Sequence, residues 1–158
     1  PLDFSAQVLE QARATLDGLY NTLREVQDIE LDTEVSLAGE PFYEALCDDL
    51  NTPEAIAGIH ALARALHKAP DADKPALKAR ILAAGNLLGI LEWDPEQWLQ
   101  ADETGDALDA AEIDALIAER QQAKLDKDYA RADEIRESLA ARGVLLEDSR
   151  DGTRWRRG

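Results

Sequence analysis

Arg120, Lys124, Lys127 and Arg131 place four positive charges within twelve residues, with Tyr129 among them and Trp155 and Arg156 close behind. Aromatic faces stack unpaired bases, and Arg, Lys and Asp side chains read base edges, which is how single-stranded RNA loops are recognised. The tail therefore has the chemistry of an RNA-binding surface. A plainer reading stands beside it. Arg120 and Lys124 are spaced i,i+4 and would form a solvated row on a helix, with Trp155 capping a small core.

Other chemistry has less to stand on. His60 and His67 are seven residues apart on one helical stretch, about 10.5 Å along its axis at 1.5 Å per residue, so they cannot share an ion directly. Cys47 lies on a different element and reads as a small buried side chain. Asp48 and Asp49 are adjacent, so on a helix they point about 100° apart and make a poor acid–base pair. The sequence contains no glycine-rich phosphate loop, nucleophile elbow or catalytic triad. We expect no catalytic, cofactor-binding or metal-binding residues in this chain.

The elements that must position the tail are legible in the apolar spacing. Ser5 can cap a helix whose face carries Leu9, Ala12, Leu16, Leu19, Leu23 and Val26. Residues 27–40 lack periodicity and read as a loop. Phe42, Leu46 and Leu50 suggest a short helix. Thr52-Pro53-Glu54 is a start signal: a hydroxyl cap, proline at the first position and an acid in the first turn. That helix would bury Ile56, Ile59, Ala63 and Leu66 and end before Pro70. Another begins near Asp73 or Lys74, carries Leu77, Ile81, Ala84, Leu88 and Leu91, and runs to Asp94-Pro95. Four helices with short connections predict an antiparallel bundle over residues 1–100. Residues 101–110 (ADETGDALDA) read as a linker. Residues 111–158 predict a small α+β domain. Its first helix starts with Ile113, Leu116 and Ile117. Its second is capped by Asp128, with Tyr129, Ala132, Ile135 and Leu139 on one stripe. Gly143 then ends the helix, and a β-hairpin comes after it with Asp151-Gly152 at its turn. The fold class is mainly α.

The 158 residues hold 17 basic and 33 acidic side chains, a net charge of −16. The imbalance is local. Residues 119–158 carry 10 basic and 9 acidic residues, whereas residues 1–118 carry 7 and 24. A general nucleic-acid binder is excluded by that total, but a confined RNA site in the tail is not. Two regions with different tasks are implied. No apolar run approaches the length of a membrane span and no signal sequence is visible, so a cytoplasmic address is expected. The single cysteine excludes an intrachain disulfide framework and fits a reducing compartment. The absence of any methionine suggests a processed or cut-down fragment.

Asp48-Asp49-Leu50-Asn51-Thr52-Pro53 resembles a segment of cysteinyl-tRNA synthetase. So do Lys127 to Arg136 (KDYARADEIR), Gly143 to Asp148 (GVLLED) and Asp151 to Arg156 (DGTRWR). The likeness runs along the whole chain and covers only the part C-terminal to the family's catalytic core: a DALR-type helical bundle and a terminal anticodon-binding domain. The HIGH and KMSKS signatures and the zinc-ligand set of that core are absent from this sequence. The resemblance implies a parent enzyme that activates cysteine with ATP and transfers it to its tRNA, with ATP and zinc in the catalytic domain and none in this chain. It implies that this chain grips the GCA anticodon of a tRNA of cysteine specificity, with base-edge contacts from Lys124, Asp133 and Asp148 and stacking by Tyr129. Arg120, Lys127, Trp155 and Arg156 are further expected RNA contacts. Arg is usual in the family where Lys124 stands and Trp where Tyr129 stands; Lys lacks the rigid fork of Arg, and Tyr offers a smaller face. The alternative function is a free-standing, non-catalytic protein-interaction module descended from such a ligase.

Overall fold

In the computed structural model, which describes residues 5–32, 35–101, 108–149 and 152–158, Ser5 accepts a hydrogen bond from the Val8 amide and opens α1 (Ala6–Glu25). Only the second half of α1 is buried, through Leu19, Tyr20 and Leu23; Leu9 and Ala12 are exposed. α2 (Pro41–Cys47) comes after the irregular segment and stops earlier than the apolar spacing predicts. Asp49 and Leu50 take left-handed φ values of +57° and +55°, which turn the chain and leave Leu50 exposed. Cys47 is exposed, not buried, because the buried face of α2 carries Phe42 and Ala45.

α3 (Thr52–Lys68) is capped by Asn51, whose side chain accepts from the Glu54 amide, so Thr52 is the first helical residue and not the cap. α3 is the central helix of its unit: α1, α2 and α4 (Lys74–Leu88) all pack against it. It buries Ala55, Ile59, Ala63 and Leu66, with Ile56 only partly covered. Gly58 is where α2 comes closest. A Cβ there would lie 2.8 Å from the Phe42 Cβ and 3.0 Å from its backbone nitrogen, so only glycine admits the contact. α3 and α4 are joined by five residues, including a 3-10 turn at Asp71–Asp73, which makes these packed neighbours antiparallel.

α4 ends six residues before the expected Asp94-Pro95 stop. Gly89, at φ +68°, supplies the left-handed C-terminal cap, and the Ile90 amide returns to the Gly85 carbonyl. A further short helix, α5 (Pro95–Gln100), has no counterpart in the apolar pattern; Asp94 caps it through the Glu96 and Gln97 amides. The chain divides into two compact units, Pro1–Trp98 and Leu99–Gly158. Most of the expected linker, residues 102–107, lies outside the described residues.

In the second unit Asp109 opens α6 (Ala110–Leu125) with a capping box closed by Glu112. α7 (Tyr129–Ala141) is capped by Asp128, as its sequence predicts. The chain turns at Gly143, φ +73°, into β1 (Val144–Ser149), which pairs antiparallel with β2 (Gly152–Arg157). Arg150 and Asp151 lie outside the described residues, and Gly152, expected in the turn, is the first residue of β2, paired with Ser149. Ile113, Ile117, Ile135, Leu139, Val144 and Trp155 form the core of this unit. The described residues thus hold seven α-helices and one two-stranded sheet, a mainly α fold ending in a hairpin.

Candidate nucleic-acid interface

The corner between α6 and α7 sets the site. The Asp128 amide returns to the Ala123 carbonyl at 2.8 Å and the Lys127 amide to the Lys124 carbonyl at 3.2 Å, the paired bonds that close a helix end. Glycine normally occupies the left-handed position of such a closure. Here Lys127 does, at φ +61°. A left-handed, non-glycine residue costs about 1–2 kcal/mol, and the capping bonds on both sides hold it there. The corner presents Leu125, Lys127 and Tyr129 outward, and Tyr129 is 63% exposed at the first position of α7.

Asp148, the penultimate residue of β1, ties the hairpin to α6. Arg120 grips it with a two-pronged bond, Nη1 to Oδ1 and Nη2 to Oδ2, both 2.9 Å. Lys124 Nζ donates to Oδ2 at 3.0 Å, and Thr153 Oγ1, directly across the hairpin, donates to Oδ1 at 2.6 Å. The carboxylate is about half exposed while the Arg120 side chain is only 7% exposed. Hydrogen bonds from Arg120, then Thr153, hold the Asp148 carboxyl well below the usual range, against the opposing effect of burial. The Arg120 guanidinium is raised, chiefly by its bond to Asp148, with Asp133 on α7 adding to the field. Asp133 therefore belongs electrostatically to the same cluster. It is exposed and lies 3.5 Å from Arg136.

Lys124, Tyr129, Asp133 and Asp148 are all exposed, and they lie on the elements that meet at this corner. Three of the further expected contacts have other roles. Trp155 is 4% exposed in the core, and its Nε1 donates to Asp114 Oδ1 at 3.1 Å, so its ring offers no stacking face. Arg120 is neither a free RNA contact nor part of a solvated row; it is buried beneath Asp148, and its Nε finds no acceptor among the described residues. Arg156 bonds Glu147 at 3.0 Å within the hairpin. Lys127 remains outward. Arg131 is held by Glu119 and Glu134 at 2.7 to 2.9 Å.

Thr153 and Asp114 join the site without being singled out by the sequence. Thr153 gives a signal only once the observed register, with Ser149 opposite Gly152, is known, since a turn at Asp151-Gly152 would set Asp148 opposite Trp155. Asp114 gives no such signal, since an acid beside Ile113 on a helix looks solvated. Among the described residues no group of three or more His, Cys, Asp or Glu side chains could hold a metal ion, and no helix is long and apolar enough to cross a membrane.

Comparison with known proteins agrees with this division. The DALR domain family matches residues 41–92, and the cysteinyl-tRNA ligase anticodon binding domain family matches residues 99–156. The chain is 48% identical over 159 residues to the cysteine–tRNA ligase of Paramagnetospirillum magneticum, covering 100% of this chain and 35% of the relative. It is 45% identical over 157 residues to that of Saccharophagus degradans, covering 99% and 34%. The Xanthomonas campestris pv. campestris enzyme is 46% identical over 158 residues, covering 99% and 34%. The chain spans about a third of the length of these curated relatives. Residues 41–92 are a DALR domain and residues 99–156 an anticodon binding domain of the cysteinyl-tRNA ligase type, the pair that forms the C-terminal part of the relatives this chain matches.

Proposed function

We propose that this chain recognises the anticodon of a tRNA of cysteine specificity, as the C-terminal part of a ligase that joins cysteine to that tRNA with ATP. The observation that carries this is the match of the anticodon binding domain family to residues 99–156, the unit that holds the exposed corner. In this reading Lys124, Asp133 and Asp148 meet base edges and Tyr129 stacks on a base. Carboxylates repel phosphate but accept hydrogen bonds from exocyclic amines, so they select bases that present an amine over bases that present a carbonyl. Lys127 faces the RNA backbone. Arg120 and Trp155 support the site from beneath, the one by holding Asp148 and the other by anchoring β2 in the core. The ATP chemistry and any zinc belong to the rest of the ligase, whose catalytic domain is this chain's covalent partner, and the setting is the cytoplasm.

The test is equilibrium binding of the full chain to tRNA of cysteine specificity and to the same RNA with one anticodon base changed. We expect tighter binding of the unchanged RNA. We also expect a shallow loss of affinity with salt, since residues 119–158 are only one charge net positive and can neutralise few phosphates. Equal affinity for the two RNAs would mean that the anticodon is not read, and binding of neither would favour the protein-interaction module.

A further inference from the structure

A carboxylate offers about four acceptor sites, two on each oxygen. On Asp148 all four are taken. Oδ1 accepts from Arg120 Nη1 at 2.9 Å and Thr153 Oγ1 at 2.6 Å; Oδ2 accepts from Arg120 Nη2 at 2.9 Å and Lys124 Nζ at 3.0 Å. A base amine can therefore bond to Asp148 only by displacing a donor already there.

The donors differ in how readily they leave. Arg120 makes two parallel bonds from a side chain 7% exposed, and parting it from its carboxylate would strand a buried charge. Thr153 sits opposite Asp148 in the strand ladder, so its hydroxyl is positioned by β2 itself. Lys124 makes one bond, from a side chain 42% exposed, and an ammonium on a flexible stem can donate to any acceptor brought within its reach.

We propose that Lys124 is an exchangeable gate on Asp148. When RNA binds, Nζ leaves Oδ2, an exocyclic amine of one anticodon base takes the vacated site, and the freed ammonium donates to an acceptor on the same RNA. Arg120 and Thr153 stay in place as positioning residues. A base without an amine leaves the gate shut, so both the amine contact and the Lys124 contact are lost together. Selectivity then comes from the pair. This inference rests on the proposed function and deepens it.

The experiment uses the full chain with isotope-labelled lysine, titrated with tRNA of cysteine specificity. Three further RNAs each lack one exocyclic amine of the anticodon: inosine for guanosine, 2-pyrimidinone riboside for cytidine, and purine riboside for adenosine. The unmodified RNA should shift the Lys124 Nζ and Cε resonances. One of the three analogues should bind about tenfold more weakly and leave those resonances at their free positions. In Lys124→Met the Oδ2 site is already open, so the same analogue should still be penalised while affinity for every RNA falls. The exchange is overturned if the Lys124 signals respond equally to all four RNAs, if none of the four moves them, or if Lys124→Met abolishes the penalty. If anticodon changes leave affinity unchanged, the proposed function falls and the exchange with it. If affinity depends on the anticodon but Lys124 keeps its bond to Asp148, the exchange alone is wrong.

Discussion

Residues 1–98 and 99–158 both carry more acid than base, 18 to 7 in the first unit and 15 to 10 in the second, yet they use their polar side chains differently. In the first unit polar groups fasten helices to one another and to the irregular segment. Trp98 stacks on Tyr20 at 4.6 Å, donates to Asp17 at 2.8 Å and lies under the Arg13 guanidinium at 4.5 Å. Lys78 donates to the Gln27 and Ile29 carbonyls and so pins the end of the irregular segment after α1. These ties close on groups of the same unit and leave surplus acid facing water. In the second unit the two-pronged contact of Arg120 with Asp148 joins a helix to a hairpin and leaves half the carboxylate exposed. The difference teaches that net charge alone does not describe what a unit's surface offers. A unit that is itself net negative exposes Lys124, Lys127 and Tyr129 at one corner, where the Asp148 carboxylate is bonded to Arg120 and Lys124.

The largest expected effect separates the two units by stability. Trp155 is the bulkiest member of the second core, and Trp155→Ala should cost about 3–5 kcal/mol. Because the first unit has its own core, hydrogen exchange should collapse across α6, α7 and the hairpin while α3 amides keep their protection. Loss of protection in both units together would show that the chain unfolds as one body.

Next comes Asp148. Asp148→Ala removes both bonds that satisfy the buried Arg120, and a charged hydrogen bond lost in this way costs about 1.5–3 kcal/mol, less what solvent screens on the exposed side. The pH dependence comes from the depressed carboxyl. Its stabilising effect is complete above the unfolded aspartate value of about 4 and drains away as pH falls below it. Urea midpoints of the native chain should therefore fall on acidification below about pH 4, and Asp148→Asn should flatten that limb. An unchanged acid limb in Asp148→Asn would assign it to other carboxylates.

Much of the fold is legible in the sequence because local signals and tertiary packing agree. Ser5, Asp128 and Gly143 mark element ends through backbone chemistry that needs no partner. Gly89 is the same kind of signal, hidden because Leu91 continues the apolar spacing; Leu91 is indeed buried, but from beyond the helix end. The site is legible as a set of residue types but not as a set of contacts. Lys124, Tyr129 and Asp133 are exposed as a binding reading requires, whereas nothing in the spacing of Arg120 or Trp155 distinguishes a solvated cation from a buried one, or a stacking ring from a core ring. Those outcomes depend on how β1 and β2 lie across α6, which local sequence does not encode.

The third effect tests the other side of the comparison, binding without stability. Tyr129→Ala and Asp133→Ala alter exposed side chains, so unfolding should shift by less than about 0.5 kcal/mol. RNA affinity should fall by about 1–3 kcal/mol in each. The Asp133 loss should be confined to the unchanged anticodon, and the Tyr129 loss shared by both RNAs. Lys78→Met in the first unit should do the reverse, costing stability through the two carbonyls it leaves and sparing affinity. Equal losses on both RNAs from Asp133→Ala would make that acid a structural partner of Arg136 and not a reader of bases.

The smallest effect is at Lys127, where the two demands meet in one residue. Its left-handed backbone is a position glycine fills without the Cβ penalty, so Lys127→Gly relieves strain in the folded chain. Glycine also loosens the unfolded chain, and the balance should be a gain of about 0.5–1 kcal/mol. Removing the charge acts in the opposite sense on binding. If Lys127 meets a phosphate, affinity should fall similarly for the native and anticodon-changed RNAs, and the salt slope should drop by about one. Denaturation midpoints and binding at several salt concentrations check the two halves separately. A more stable chain with an unchanged salt slope would mean that Lys127 serves the corner's geometry alone, and that the cationic face presented to RNA is made by Lys124.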